Sequence, residues 1–129
     1  MAKLTQKEQE KLRHLLDRKE ALIREEIAQR QENAAAERGA RASTEGNMDQ
    51  ADQASADSIT DTHIAMMNHY EQELQDIDAA RVRMESGFYG ACTDCGDDIG
   101  MDRLTAYPTA KRCIVCQSQR EKTFSSDAA

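Results

Sequence analysis

The chain has 129 residues, 39% apolar and 32% charged, with a formal net charge of −7, a length that holds one modest domain or a small module on helices and excludes a large enzyme. Leu, Ile, Val and Phe number only 18 of the 129, a composition that by itself leaves a chain disordered, so something other than a large apolar core has to organise it. No apolar run approaches the ~18 residues of a membrane helix, and the start Met1-Ala2-Lys3-Leu4-Thr5-Gln6 has no apolar signal region, so a cytoplasmic protein with reduced cysteines is expected.

In chain order, Thr5-Gln6-Lys7-Glu8 fits a capping box, in which a Thr oxygen and a Glu carboxylate satisfy two orphan amides, and a helix is predicted from there. Leu12, Leu16, Ile23, Ile27 and Ala34 follow at helical spacing, with Leu15 and Leu22 widening the stripe and charged residues between. Gly39 or Gly46 would end this helix. The small polar stretch over 44–58 reads as a connection. Beyond it Met67, Tyr70, Leu74, Ile77, Arg81 and Met84 recur at spacings of three and four, with Ile59 and His63 ahead of them, which predicts a second long helix over roughly 57–85. Neither helix buries its stripe alone, so an antiparallel hairpin with an arm on the order of 40 Å is expected. Ser86-Gly87 would end the second helix.

The expected fold is therefore mainly α. A long antiparallel helical hairpin occupies 1–86, with its tip around 44–57, and a small cysteine-based finger with a short C-terminal helix occupies 87–129. His14 and His69 read as exposed helix positions, and His63 as an interhelical one.

Charge is uneven. Residues 42–80 hold nine Asp or Glu and no Lys or Arg, and such a surface repels a phosphate backbone, which disfavours direct DNA binding and favours a basic protein surface or a metal as partner.

The strongest motif is Cys92-Thr93-Asp94-Cys95 followed by Cys113-Ile114-Val115-Cys116. Two C-x2-C pairs separated by 17 residues fit a closed tetrathiolate site for one structural Zn(II) ion, with no coordination position left for catalysis. Metal binding on the order of 10 kcal/mol would also explain how so small a core folds. A redox dithiol would need a βαβ setting that the pattern lacks.

The run from Gly90 to Cys116 resembles the C4 zinc finger of the DksA/TraR transcription factors. The match includes the Cys-Gly after the first pair, Ile99, Arg103-Leu104, Ala106, and Pro108-Thr109-Ala110 before the second pair. Asp49-Gln50-Ala51-Asp52-Gln53-Ala54 is similar to the D-x-x-D-x-A motif at the coiled-coil tips of that family. The resemblance implies a monomeric, non-enzymatic regulator that binds bacterial RNA polymerase through its secondary channel and modulates initiation without binding DNA. Its polymerase-modulating tip would comprise Asp49, Asp52 and Ala54. Positions aligned with the family's alarmone-binding cations carry Asp76, Tyr107 and Gln117, so the resemblance predicts no guanosine tetraphosphate binding through them. The alternatives are a zinc-ribbon nucleic-acid module and a zinc-thiolate redox sensor. Against the first stand Asp94, Asp97, Asp98 and Asp102, which face only Arg103, Lys111 and Arg112 in the finger.

Overall fold

The computed structural model describes residues 4–44 and 50–128. Helices α1 (Gln6–Thr44), α2 (Gln50–Ser86), α3 (Met101–Ala106) and α4 (Ile114–Ala128) make up its regular structure, and an isolated antiparallel bridge joins Ala91 to Asp98. The expected mainly helical class holds.

The start of α1 is capped as its sequence predicts. The Glu8 amide donates to Thr5 Oγ1 at 3.1 Å, and the Thr5 amide donates to Glu8 Oε1 at 3.0 Å, so two of the amides that a helix start leaves unpaired are satisfied. The end of α2 is equally defined: Gly87 takes φ +83°, Phe88 N–H donates to the Arg83 carbonyl at 2.9 Å and Gly87 N–H to the Met84 carbonyl at 3.4 Å. This is a Schellman termination, which needs a left-handed residue at the position glycine fills.

Of the two glycines expected to end α1, Gly39 does not: the helix continues through it to Thr44, because one glycine costs a helix about 1 kcal/mol and the neighbouring Ala and Arg residues favour it, and Gly46 lies outside the described residues. The start of the second helix differs from expectation. Helix α2 already starts at Gln50, so most of the stretch read as a connection is helical. Residues 50–58 contain only Ala, Gln, Ser and Asp, with no Gly or Pro that would stop a helix.

The chain forms two compact units. One comprises Met1–Lys19 with Gln75–Ala129, the other Glu20–Leu74. In the first, Leu12, Leu16, Ile77 and Leu104 are fully enclosed, and Ala80, Tyr89, Ile99 and Ala110 are buried as well. Arg81, on the predicted stripe, reaches Asp17 across the helix pair at 2.8 Å. A Cβ on Gly90 (φ +91°) would meet Leu4 Cδ1 at 3.1 Å, so this glycine permits both the turn and the close approach of Leu4.

In the second unit Ile23 and Tyr70 are buried. Arg30 Nε donates to the Tyr70 hydroxyl at 3.0 Å with its guanidinium 5.9 Å from the ring centre. Glu37 and Arg38 share a groove with Ser58, Ile59 and Thr60 while Arg30 meets Tyr70, so the helices run antiparallel here, as expected. The stripe is narrower than predicted: Leu22 is 53% and Ile59 49% exposed. Leu22 sits about 100° around the helix from Ile23 and cannot share its inward direction. Where the stripe passes through Ala34 and His63, the small and polar side chains leave a groove of about 740 Å³.

Candidate metal centre

The centre is built by two turns. After α2, Gly90 (φ +91°) and Gly96 (φ +80°) reverse the chain on either side of the first cysteine pair. Cys92 N–H donates to the Asp97 carbonyl at 2.7 Å and Gly96 N–H to the Cys92 carbonyl at 3.0 Å, closing a tight knuckle. The second pair straddles the start of α4, where Gln117 N–H donates to the Cys113 carbonyl at 3.0 Å. This helix begins ahead of Cys116 and runs to Ala128, earlier and further than the short tail helix expected after Cys116. The knuckles are tied together by Thr93 N–H donating to the Lys111 carbonyl at 2.9 Å and by Arg112 Nε to Asp94 Oδ2 at 3.0 Å.

The result is one cluster. The sulfurs of Cys92, Cys95, Cys113 and Cys116 all lie within 4.8 Å of one another, none of them in a disulfide. A tetrahedron with Zn–S bonds of about 2.3 Å has edges of ~3.8 Å, and Cys95 Sγ lies 3.8 Å from Cys113 Sγ. Both the donor chemistry and the dimensions therefore fit a zinc-binding C4 site.

Without a metal the thiols are electrostatically inequivalent. Burial works to raise the Cys92 pKa, but backbone hydrogen bonds from Cys95, Cys113 and Asp94 outweigh it and bring it to about 6. Cys116 is pushed upward, first by hydrogen bonding to Cys113 and then by Cys92 and Cys95. In Cys95 the backbone contact at Asp97 works downward, yet burial and its thiol neighbours prevail and raise it.

The finger is fastened to the helices around it. Tyr89, buried, donates its hydroxyl to the Pro108 carbonyl at 2.6 Å, and this desolvation pushes the phenol up to about 12 against the pull of Arg83. Lys111 Nζ pairs with Asp76 of α2 at 3.4 Å, and Lys19 Nζ of α1 lies 5.2 Å from the centre of the Tyr107 ring. Arg103 Nε donates to the Arg112 carbonyl at 3.1 Å. Thus Asp76 and Tyr107 meet cations of this chain, and Gln117 donates to Glu121 at 3.0 Å. The Lys111–Asp76 and Lys19–Tyr107 contacts join residues far apart in the chain, which leave no local periodicity in the sequence.

The tip residues stand differently. Asp49 lies outside the described residues, and Asp52 and Ala54 fall near the start of α2, where the backbone alone is described. No helix among the described residues is long and apolar enough to cross a membrane.

Residues 87–122 match the prokaryotic dksA/traR C4-type zinc finger family model. The solved structure of transcription factor DksA2 from Pseudomonas aeruginosa is similar over 92% of this chain and 86% of its own, with a TM-score of 0.70 and 29% sequence identity. In fold the chain is similar to DksA2. The RNA polymerase-binding transcription factor DksA of Caulobacter vibrioides is 34% identical over 79 residues, 61% of this chain and 56% of that protein. Its counterpart in Haemophilus influenzae is 30% identical over 73 residues, 57% of this chain and 50% of its own. General stress protein 16O of Bacillus subtilis is 29% identical over 72 residues, covering 56% of this chain and 43% of the relative. The matched stretches span about half the length of these curated relatives.

Proposed function

We propose that this chain is a cytoplasmic, monomeric, non-enzymatic transcription regulator that binds bacterial RNA polymerase through its secondary channel and modulates initiation without contacting DNA. What carries the reading is the co-occurrence, in one chain, of a C4 cluster and an antiparallel helix pair with a DksA2-like fold over 92% of its length. The relatives named for RNA polymerase binding add to it.

In this reading Cys92, Cys95, Cys113 and Cys116 hold one structural Zn(II), which locks the finger and leaves no open coordination position. Within the second unit helix α2 runs from Gln50 to Leu74, which at ~1.5 Å per residue is on the order of 40 Å and long enough for an inserted probe. Asp49 and Asp52 act as the effector carboxylates of the tip, through their charge near basic groups or a metal-bound active site, and Ala54 gives the close approach a small side chain. Guanosine tetraphosphate is not held through Asp76, Tyr107 and Gln117, since a polyphosphate needs cationic partners there. The acidic block over 42–80 keeps the protein from competing for the nucleic acid that polymerase carries.

The test is a pull-down of purified bacterial RNA polymerase by the zinc-loaded protein at moderate salt. Stoichiometric capture is expected. No capture, or a steep salt-dependent gel shift on DNA or RNA in its place, would return the assignment to a zinc-ribbon nucleic-acid module.

A further inference from the structure

Packing within the second unit is uneven along its length. Among its described side chains the buried ones are Ile23 on α1 and Tyr70 on α2. Beyond them, over 24–39 and 57–69, every residue is half-buried or exposed. The aliphatic residues that a seam needs are present in α2 but turned outward, with Ile59 at 49% and Ile64 at 52% exposure. On α1 the residues that follow Ile27 include no Leu, Ile, Val, Phe or Met up to Gly39.

The seam is consequently open. Ala34 and His63, both half-buried, stand on either side of the groove of about 740 Å³, and Glu26, Arg30, Glu37 and Arg38 add charged groups of both signs to its walls. A packed interior leaves few voids larger than a water molecule, so this stretch lacks the close contact that holds two helices together. A polar tie closes its near end, where Arg30 Nε donates to the Tyr70 hydroxyl at 3.0 Å. Farther along, Thr62 Oγ1 donates to the Ser58 carbonyl of its own helix.

The first unit differs, since it fully encloses Leu12, Leu16, Ile77 and Leu104. Short helical stretches are marginal in water by themselves, and most helical stability in a protein comes from packing an apolar face. Regions poor in buried apolar contact therefore open while the rest of a protein stays folded.

We propose that the part of the helix pair beyond the Arg30–Tyr70 contact, residues 31–39 and 57–69, opens and recloses as a local unit while the first unit stays folded, and that Ala34 and His63 set how readily it does so. A larger apolar residue at these positions fills the groove and brings the helices into contact, whereas Ala and His leave it unfilled. The consequence for binding is direct. A partner that needs this stretch closed meets only the closed fraction, and its apparent affinity falls by that fraction. The opening belongs to the chain itself and does not depend on the polymerase reading.

Amide hydrogen exchange of the zinc-loaded full chain, followed peptide by peptide, tests this in wild type, in Leu16→Ala and in the double variant Ala34→Leu with His63→Leu. In wild type, amides over 31–39 and 57–69 should exchange at least about 100-fold faster than those around Leu16 and Ile77. Leu16→Ala should accelerate exchange around Leu16 and Ile77 about 30-fold or more and leave the far stretch unchanged. The filled double variant should do the reverse, slowing the far stretch about tenfold or more with the first unit unaltered. Should Leu16→Ala fail to fold, the filled variant decides. Equal protection of the two regions in wild type, acceleration of both by Leu16→Ala, or no slowing in the filled variant would overturn the proposal.

Discussion

The Tyr89 hydroxyl donates to the Pro108 carbonyl across a buried 2.6 Å contact, joining the residue that follows the α2 termination to the segment that leads into the second cysteine pair. Phe at this position keeps the ring and leaves the carbonyl without its donor. Tyr89→Phe should lower stability by about 1–2 kcal/mol, measured by denaturant unfolding of the zinc-loaded protein.

The same residue gives a defined alkaline signature. The phenol rises from its ordinary value of 10.0 to about 12 in the fold, so the folded state favours the protonated form. That stabilisation is complete below pH 10 and is lost as pH climbs toward 12. The difference in unfolding free energy between wild type and Tyr89→Phe should therefore shrink over this window and be flat between pH 7 and 9.

Metal uptake should release protons unequally from Cys92, Cys95 and Cys116. Cys92, at about 6, is already a thiolate at pH 7.5, whereas Cys95 and Cys116 are raised and protonated. Thiolates are the ligands, so zinc binding at pH 7.5 should release at least about two protons, read by calorimetry in buffers of different ionisation enthalpy. Affinity should fall as pH is lowered. Release of fewer than about one proton would contradict a tetrathiolate centre.

Burial separates two leucines that sequence alone groups together. Leu16 is fully enclosed and Leu22 is 53% exposed. Leu16→Ala should cost about 2–5 kcal/mol, whereas Leu22→Ala should stay within about 0.5 kcal/mol. Thermal or denaturant melts of the two variants distinguish them directly.

Local signals proved the most legible. The Thr5/Glu8 capping box, the Gly87 termination and the convergence of the cysteines follow from short motifs whose geometry is fixed within a few residues. Stripe width was less legible, since Leu22 and Ile59 satisfy a helical pattern in sequence while pointing outward in the fold. Helix α3, only Met101–Ala106, is too short to carry a periodic signature. The long-range ties, Lys111 to Asp76 and Lys19 to Tyr107, depend on the finger's docking and leave no trace in spacing. At the tip, D-x-x-D-x-A remains a sequence expectation, as Asp49 lies outside the described residues.

The most direct test of the proposed regulator pairs two readouts on one variant, Asp49→Asn with Asp52→Asn: affinity for purified bacterial RNA polymerase, and transcript yield from a responsive promoter in vitro. Affinity within about twofold of wild type, together with loss of most of the effect on transcript yield, is predicted, because the neutral amides remove charge and little volume. A double variant that changes transcription as wild type does would contradict the assignment of those carboxylates as the effector groups.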